Sequence, residues 1–222
     1  MLGESPGFEA PSILTRTDET IRRLRRDILD GGSPPGTLLA EASVARQLGV
    51  SRVPVREALF ALEREGLVEF SATGRAYVRD LGSKDLEELY LLRLALEPLA
   101  ARLATPRLQR DATALEQNIH ATETAASLQE LTGLDLDFHQ IALEASGHQR
   151  LLRLWRSLRS ELELWLARLH RTHELQTQDT RHATAESHRE LLNAFLSQSP
   201  ETVERLMRVH IQGWREWLPT LP

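Results

Sequence analysis

The sequence contains no cysteine. That absence excludes disulfides, iron–sulfur clusters, thiolate zinc sites and a cysteine nucleophile together. Lysine is nearly missing as well: Lys84 is the only one, and the remaining 26 of the 27 basic residues are arginine. No apolar run approaches the roughly 20 residues that a membrane-spanning helix needs. The opening stretch, MLGESPGFEAPS, has neither the basic start nor the apolar centre of a secretory signal. A basic excess is also absent. The net charge is −5, residues 1–80 carry 11 basic and 12 acidic side chains, and residues 81–222 carry 16 and 20. Any nucleic-acid reading must therefore rest on placed residues and not on bulk charge. What is present is an ordinary globular composition, 41% hydrophobic and 27% charged over 222 residues, enough for one large domain or two small ones. A cytoplasmic protein with no membrane partner is the expectation.

The pattern along the chain predicts a mainly α fold in two parts. Residues 1–12 are rich in Gly, Pro and Glu without periodicity and read as a mobile tail. A helical pattern starts at Thr17, with Ile21, Leu24 and Ile28 inward, and stops at Gly31 and Gly32. After a Pro/Gly turn and the short segment 37–39, a second helix carries Val44, Ala45 and Leu48 inward and ends at Gly49. Ser51 is placed to cap a third helix, whose Val55, Ala58, Leu59 and Leu62 form one apolar stripe. Gly66 ends it, and residues 67–78 read as strand, glycine turn and strand. Three helices and a hairpin make a winged helix-turn-helix over 13–80. Residues 83–222 then read as an all-α bundle of six or seven helices, with breaks at Pro106, Gly147, 176–180 and Pro200.

In the third helix Arg52 and Arg56 share a flank beside the buried stripe, near the helix N-terminus. A recognition helix presents that end to the major groove, where arginine bonds guanine bidentately or clamps phosphate. Isolated arginines at this spacing are usually only a solvated face; the helix before, the glycine turn and the wing after favour DNA. Residues 35–41, 45–52, 54–59 and 65–68 resemble the winged helix of GntR-type bacterial transcriptional regulators. The resemblance implies that Ser51, Arg52, Val53 and Arg56 face a palindromic operator bound by a homodimer, with Gly74 and Arg75 at the wing tip. Ala42 stands where some members carry an arginine, and Val53 replaces a common threonine.

A second constellation joins Asp135 and His139, four residues apart on one helix, with His188 and His210 on two others. His188 shares a face with Leu191, Leu192 and Phe195, and His210 with Leu206 and Trp214, so three helices turn metal-capable groups toward an interior. A buried polar group without a partner costs roughly 2–7 kcal/mol, which disfavours chance convergence. Each histidine singly reads more simply as a hydrogen-bonded core residue. Imidazole plus carboxylate without thiolate suits a divalent ion, with Zn first among Ni, Mn, Co and Fe. Asp-x-x-Phe-His, the later Glu-x-His and the final Met-Arg-x-His resemble the FCD effector domain that accompanies GntR winged helices in the FadR-like subfamily. That resemblance implies a metal held by Asp135, His139, His188 and His210, and an Arg93 that points to the cavity and holds the carboxylate of a small organic acid effector. The alternative for Arg93 is a surface ion pair with Glu97.

Arg150, Arg153, Arg156 and Arg159 are expected on a solvated face, alternating with a buried seam of Leu151, Leu154, Leu158 and Leu162. The tryptophans Trp155, Trp165, Trp214 and Trp217 are expected in the core, and His148 at a cap. His120, His170, His173 and His182 share no face with the ligand set and are expected on the surface. The whole reading is a DNA-binding regulator, a repressor in type, and not an enzyme. A metal-dependent hydrolase is the competing class, but no His-Glu-x-x-His base or nucleophile signature is present. A purely structural metal is the third alternative.

Overall fold

The computed structural model describes residues 15–215. The expected tail at 1–12, the side chain of Trp214 and all of Trp217 lie outside the described residues. Helix α1 (Arg16–Leu29) begins in a capping box: Thr15 Oγ1 accepts from the Asp18 backbone amide, and the Asp18 carboxylate accepts from that of Thr15. Helix α2 (Glu41–Leu48) ends on Gly49 in the left-handed conformation, and α3 (Arg52–Arg64) follows. Ser51 stands at the N-cap position of α3, but its hydroxyl makes no capping bond. The wing is β1 (Val68–Phe70) antiparallel to β2 (Ala76–Val78), with Val68 opposite Val78 and Phe70 opposite Ala76. The segment 37–39 docks on its edge, where Leu39 N donates to Ala76 O at 2.8 Å and Val78 N donates to Thr37 O at 2.9 Å.

Six further helices complete the described chain: α4 (Ser83–Leu108), α5 (Thr113–Thr124), α6 (Leu128–Ala145), α7 (Gln149–Thr177), α8 (Thr180–Ser197) and α9 (Pro200–Arg215). Pro106 does not break the first of them, contrary to the expectation. It falls in the last turn, where it removes one backbone donor, and the burial of Thr105 and Leu108 on either side holds the turn in place. His148 caps α7, its Nδ1 accepting from Leu151 N at 3.2 Å.

Two apolar clusters lie along the molecule. The first is continuous from the winged helix (Leu24, Val55, Leu59, Leu62, Val78) into α6 and α7 (Leu136, Trp155, Leu162, Trp165). The second joins α4, α5, α8 and α9 through Ala101, Leu115, Phe195, Val203 and Met207. Trp155 and Trp165 are in the core as expected. Leu154, expected in the seam, is 55% exposed. The buried positions of α7 here are Leu151, Leu152 and Trp155, one residue round from the stripe inferred from leucines alone. His170 and His173, expected on the surface, are also buried. They continue the inward stripe of Leu162, Leu166 and Leu169.

Helix α7 carries the winged helix on its outer side. Arg171 Nη2 donates to Leu29 O at 2.9 Å, and Arg168 Nη1 donates to Leu81 O at 3.1 Å. Glu161 pairs with Arg79 at 3.2 Å and Glu163 with Arg25 at 3.6 Å. The contact is close at two turns whose backbone conformation favours glycine. A Cβ on Gly31 would stand 2.5 Å from Arg171 Nη1, and one on Gly66 would stand 2.7 Å from Glu161 Cγ; both glycines also hold positive φ.

Candidate metal centre and nucleic-acid interface

Helix α6 supplies Asp135 and His139 from one face, α8 supplies His188 and α9 supplies His210, all of them buried. One ring nitrogen from each of the three histidines lies within 4.8 Å of the others. Asp135 Oδ1 is 3.5 Å from His139 Nε2 and 3.3 Å from His188 Nε2. Ligand atoms on a zinc ion with bonds of roughly 2.0–2.1 Å stand about 3.3 Å apart, so the spacing suits a small divalent cation. The residues pass a second test of fit. His210 Nδ1 is hydrogen-bonded to Ser187 Oγ at 2.8 Å, while its Nε2, like both ring nitrogens of His188, is buried without a hydrogen-bond partner. A cation supplies the missing partner for such a lone pair.

Two residues from α4 close the site. Arg93 Nε donates to Glu97 Oε1 at 2.7 Å and Arg93 Nη2 to Glu97 Oε2 at 3.3 Å. The pair expected as a surface alternative therefore exists, but both members are 2% exposed. Arg93 Nη2 stands 3.1 Å from His139 Nε2, and the guanidinium lies over the Trp165 ring at 5.7 Å. Glu97 was missed as a site residue. Its Oε2 approaches His139 Nδ1 at 2.8 Å, an ion-pair contact and not a well-aligned hydrogen bond, and its Oε1 accepts from Trp155 Nε1 at 3.1 Å. Leu86, Leu89, Arg93, Glu97, Ala100 and Ala104 fall on one stripe of α4, and that periodicity is the signal that both charges point inward. His170 was missed too: its Nε2 is 3.1 Å from Asp135 Oδ2 and its Nδ1 is 2.9 Å from Thr132 Oγ1. Asp137, on the outer side of α6, accepts from Arg159 Nη2 at 2.6 Å.

The protonation states follow from this enclosure. Burial alone would raise the Asp135 carboxyl, but the imidazoles of His139, His170 and His188 hold it well below its ordinary range. Burial would likewise raise Glu97, yet the Arg93 charge and His139 hold it down. For His139 burial opposes the proton, but the Glu97 carboxylate outweighs it and raises the pKa. Burial lowers His188, and burial together with His139 and His188 lowers His210 strongly, so both are neutral and able to ligate.

In the winged helix the stripe of α3 is buried as expected, leaving Ser51, Arg52, Val53 and Arg56 on the open side; Val53 is 66% exposed. Arg52, Gly74 and Arg75 line one concavity between α2, α3 and the wing, together with Ala42 and Glu41. Arg52 and Arg56 both lean on Glu41, Arg52 Nη2 at 3.3 Å and Arg56 Nε at 4.0 Å. An exposed ion pair is worth about 0–1 kcal/mol, so Glu41 does not fix either side chain in place.

A winged helix joined to a helical bundle is the architecture of a DNA-binding regulator with a second, all-α domain. The chain belongs to the GntR family of bacterial regulatory proteins, whose profile matches residues 16–78, and carries an FCD domain, whose profile matches residues 88–213. It is 32% identical over 209 residues to the "Probable D-xylose utilization operon transcriptional repressor" of Paenarthrobacter nicotinovorans, covering 90% of this chain and 89% of that one. It is 29% identical over 195 residues to the transcriptional repressor RspR of Escherichia coli, covering 86% and 83%. Among solved structures, a GntR regulator from a Rhodococcus strain aligns with a TM-score of 0.71 at 21% identity, covering 93% of this chain and 99% of that one. E. coli McbR/YncC aligns at 0.67 and 22%, covering 90% and 95%. These are regulators and not enzymes, and no helix among the described residues is long and apolar enough to cross a membrane.

A pH dependence follows from the buried histidines. The folded-state pKa values of His188 and His210 lie below the ordinary 6.5, so as pH falls through 6.5 the unfolded chain takes up protons first and stability is lost. His139, raised above 6.5, makes its contribution in full below that value and does not change the slope there. Thermal melts of metal-free protein should therefore fall in midpoint from about pH 6.5 downward, with a shallower fall in His210→Gln. A flat profile in both proteins contradicts this account.

Proposed function

We propose that this chain is a cytoplasmic repressor that binds a palindromic operator as a homodimer and responds to a small organic acid at a divalent-metal centre. The DNA-binding unit is 13–80, and 83–222 is the effector, metal and dimerisation unit. The observation that carries the reading is the convergence of His139, His188 and His210 from three helices onto one buried point beside Asp135, with ring nitrogens of His188 and His210 that lack a hydrogen-bond partner. When bound, the metal, zinc first among Ni, Mn, Co and Fe, supplies positive charge and open positions for a carboxylate oxygen. Arg93 beside it holds a second oxygen of the same ligand. Helices α4 and α9 leave Leu91, Leu92 and Val209 exposed, apolar area that a second copy would cover. Effector binding shifts the population of bundle conformations, and with it the setting of the two winged helices.

Arg52→Ala and Arg56→Ala should each weaken operator binding, measured by anisotropy at two salt concentrations. A lost base contact costs about 1–3 kcal/mol, and a lost phosphate contact mainly lowers the salt slope. Titrations identical to wild type for both variants would remove these residues from the interface.

The purified protein should hold about one divalent ion per chain, as ligands drawn from three helices imply. The ion should raise the melting temperature, and His139→Ala/His188→Ala should lose it. Elemental analysis that finds no metal after incubation with Zn, Ni and Mn returns these histidines to a core hydrogen-bonding role.

Arg93→Ala would strand the buried Glu97 carboxylate at a cost of about 3–5 kcal/mol, so Arg93→Lys is the cleaner variant. It keeps the charge and loses the fork. A thermal-shift screen of small organic acids on metal-loaded protein should yield a ligand whose effect on operator binding disappears in Arg93→Lys, with metal content unchanged. A variant that responds like wild type places the effector elsewhere.

A further inference from the structure

Asp135 divides its two oxygens. Oδ1 faces His139 and His188 at 3.5 and 3.3 Å, on the side where the three imidazoles converge. Oδ2 faces His170 Nε2 at 3.1 Å, on the opposite side, toward α7. The approach is an ion-pair contact between two buried groups and not a well-aligned hydrogen bond. The ring is set by Thr132 Oγ1 at its other nitrogen, 2.9 Å away, three residues before Asp135 on α6. The imidazole thus bridges two α6 residues one turn apart from a neighbouring helix, with its own side chain wholly buried.

The next residue of α7 faces the winged helix. Arg171 Nη2 bonds the last carbonyl of α1 at 2.9 Å and rests against Gly31, while Arg168 holds the Leu81 carbonyl between the two domains. Within four residues, α7 therefore touches a metal-ligand candidate on one side and the DNA-binding domain on the other.

We propose that His170 is a positioning residue that holds Asp135 through Oδ2, keeps Oδ1 turned to the metal, and makes α7 the element through which occupancy of the centre is felt at the end of α1. The inference rests on the metal reading above. Outer contacts of this kind typically change metal affinity by about 10–100-fold when removed.

The test uses the full chain, Co(II) as the spectroscopic probe and Zn(II) for hydrogen exchange. His170→Leu keeps an apolar volume and removes the donor, whereas His170→Gln restores an N–H. The expected result is Co(II) binding weakened by about tenfold or more in His170→Leu, with an altered visible band, and near wild-type affinity in His170→Gln. Zn(II) should slow amide exchange over 27–31 in wild type and fail to do so in His170→Leu. If His170→Leu does not fold by circular dichroism, Thr132→Val, which frees the ring without touching a ligand, should show a smaller loss in the same direction. Wild-type Co(II) affinity, band and exchange response in the folded variants overturn the proposal. Failure of wild type itself to bind Co(II) overturns the metal reading instead.

Discussion

The bundle is organised around one buried negative charge. Asp135 is 3% exposed, and an isolated carboxylate at such depth is untenable without partners. Here it is surrounded by the imidazoles of His139, His170 and His188, contributed by α6, α7 and α8. The second buried carboxylate, Glu97, is neutralised by Arg93 and drawn to His139. The two acids thus meet at His139, one at each ring nitrogen, and four helices are locked into register by ionic contacts that leucine packing alone would not specify. Replacing such a set by apolar residues is often neutral or stabilising, so its presence argues for a role other than stability.

Apolar packing and polar contacts also join the two domains. The first apolar cluster runs unbroken from α1 and α3 into α6 and α7, and α7 adds ionic contacts through Glu161, Glu163, Arg168 and Arg171. The face of α3 that carries Arg52 and Arg56 stays open, because the apolar stripe of the helix is spent on this core. The winged helix is thereby held from behind with its arginines presented outward.

Much of this was legible in the chain. The glycine and proline punctuation, the stripe at 55, 58, 59 and 62 and the hairpin residues identify the winged helix, because these are local signals. Asp135 and His139 share a face through helix geometry, and His188 and His210 sit among apolar neighbours at helical spacing, so their inward direction was also readable. Glu97 and His170 were misread for a common reason: a charged or titratable residue on an amphipathic helix is usually solvated, and only the neighbouring stripe says otherwise. Leu154 was misread in the opposite sense, since a leucine repeat of three or four does not say which of two adjacent stripes is covered.

Sequence by itself determined the element order, the mainly α class, the direction of Arg52 and Arg56 and the inward setting of the three histidines, since each depends on spacing within one element. Tertiary structure alone decided that Arg93 and Glu97 form a buried pair against His139, that Asp135 splits its oxygens between α7 and the other imidazoles, and that α7 is the helix on which the winged helix rests. Those facts depend on contacts between residues far apart in the chain, 46 positions for Arg93 and His139 and 142 for Arg171 and Leu29, which helical periodicity does not encode and which only packing of the whole core selects.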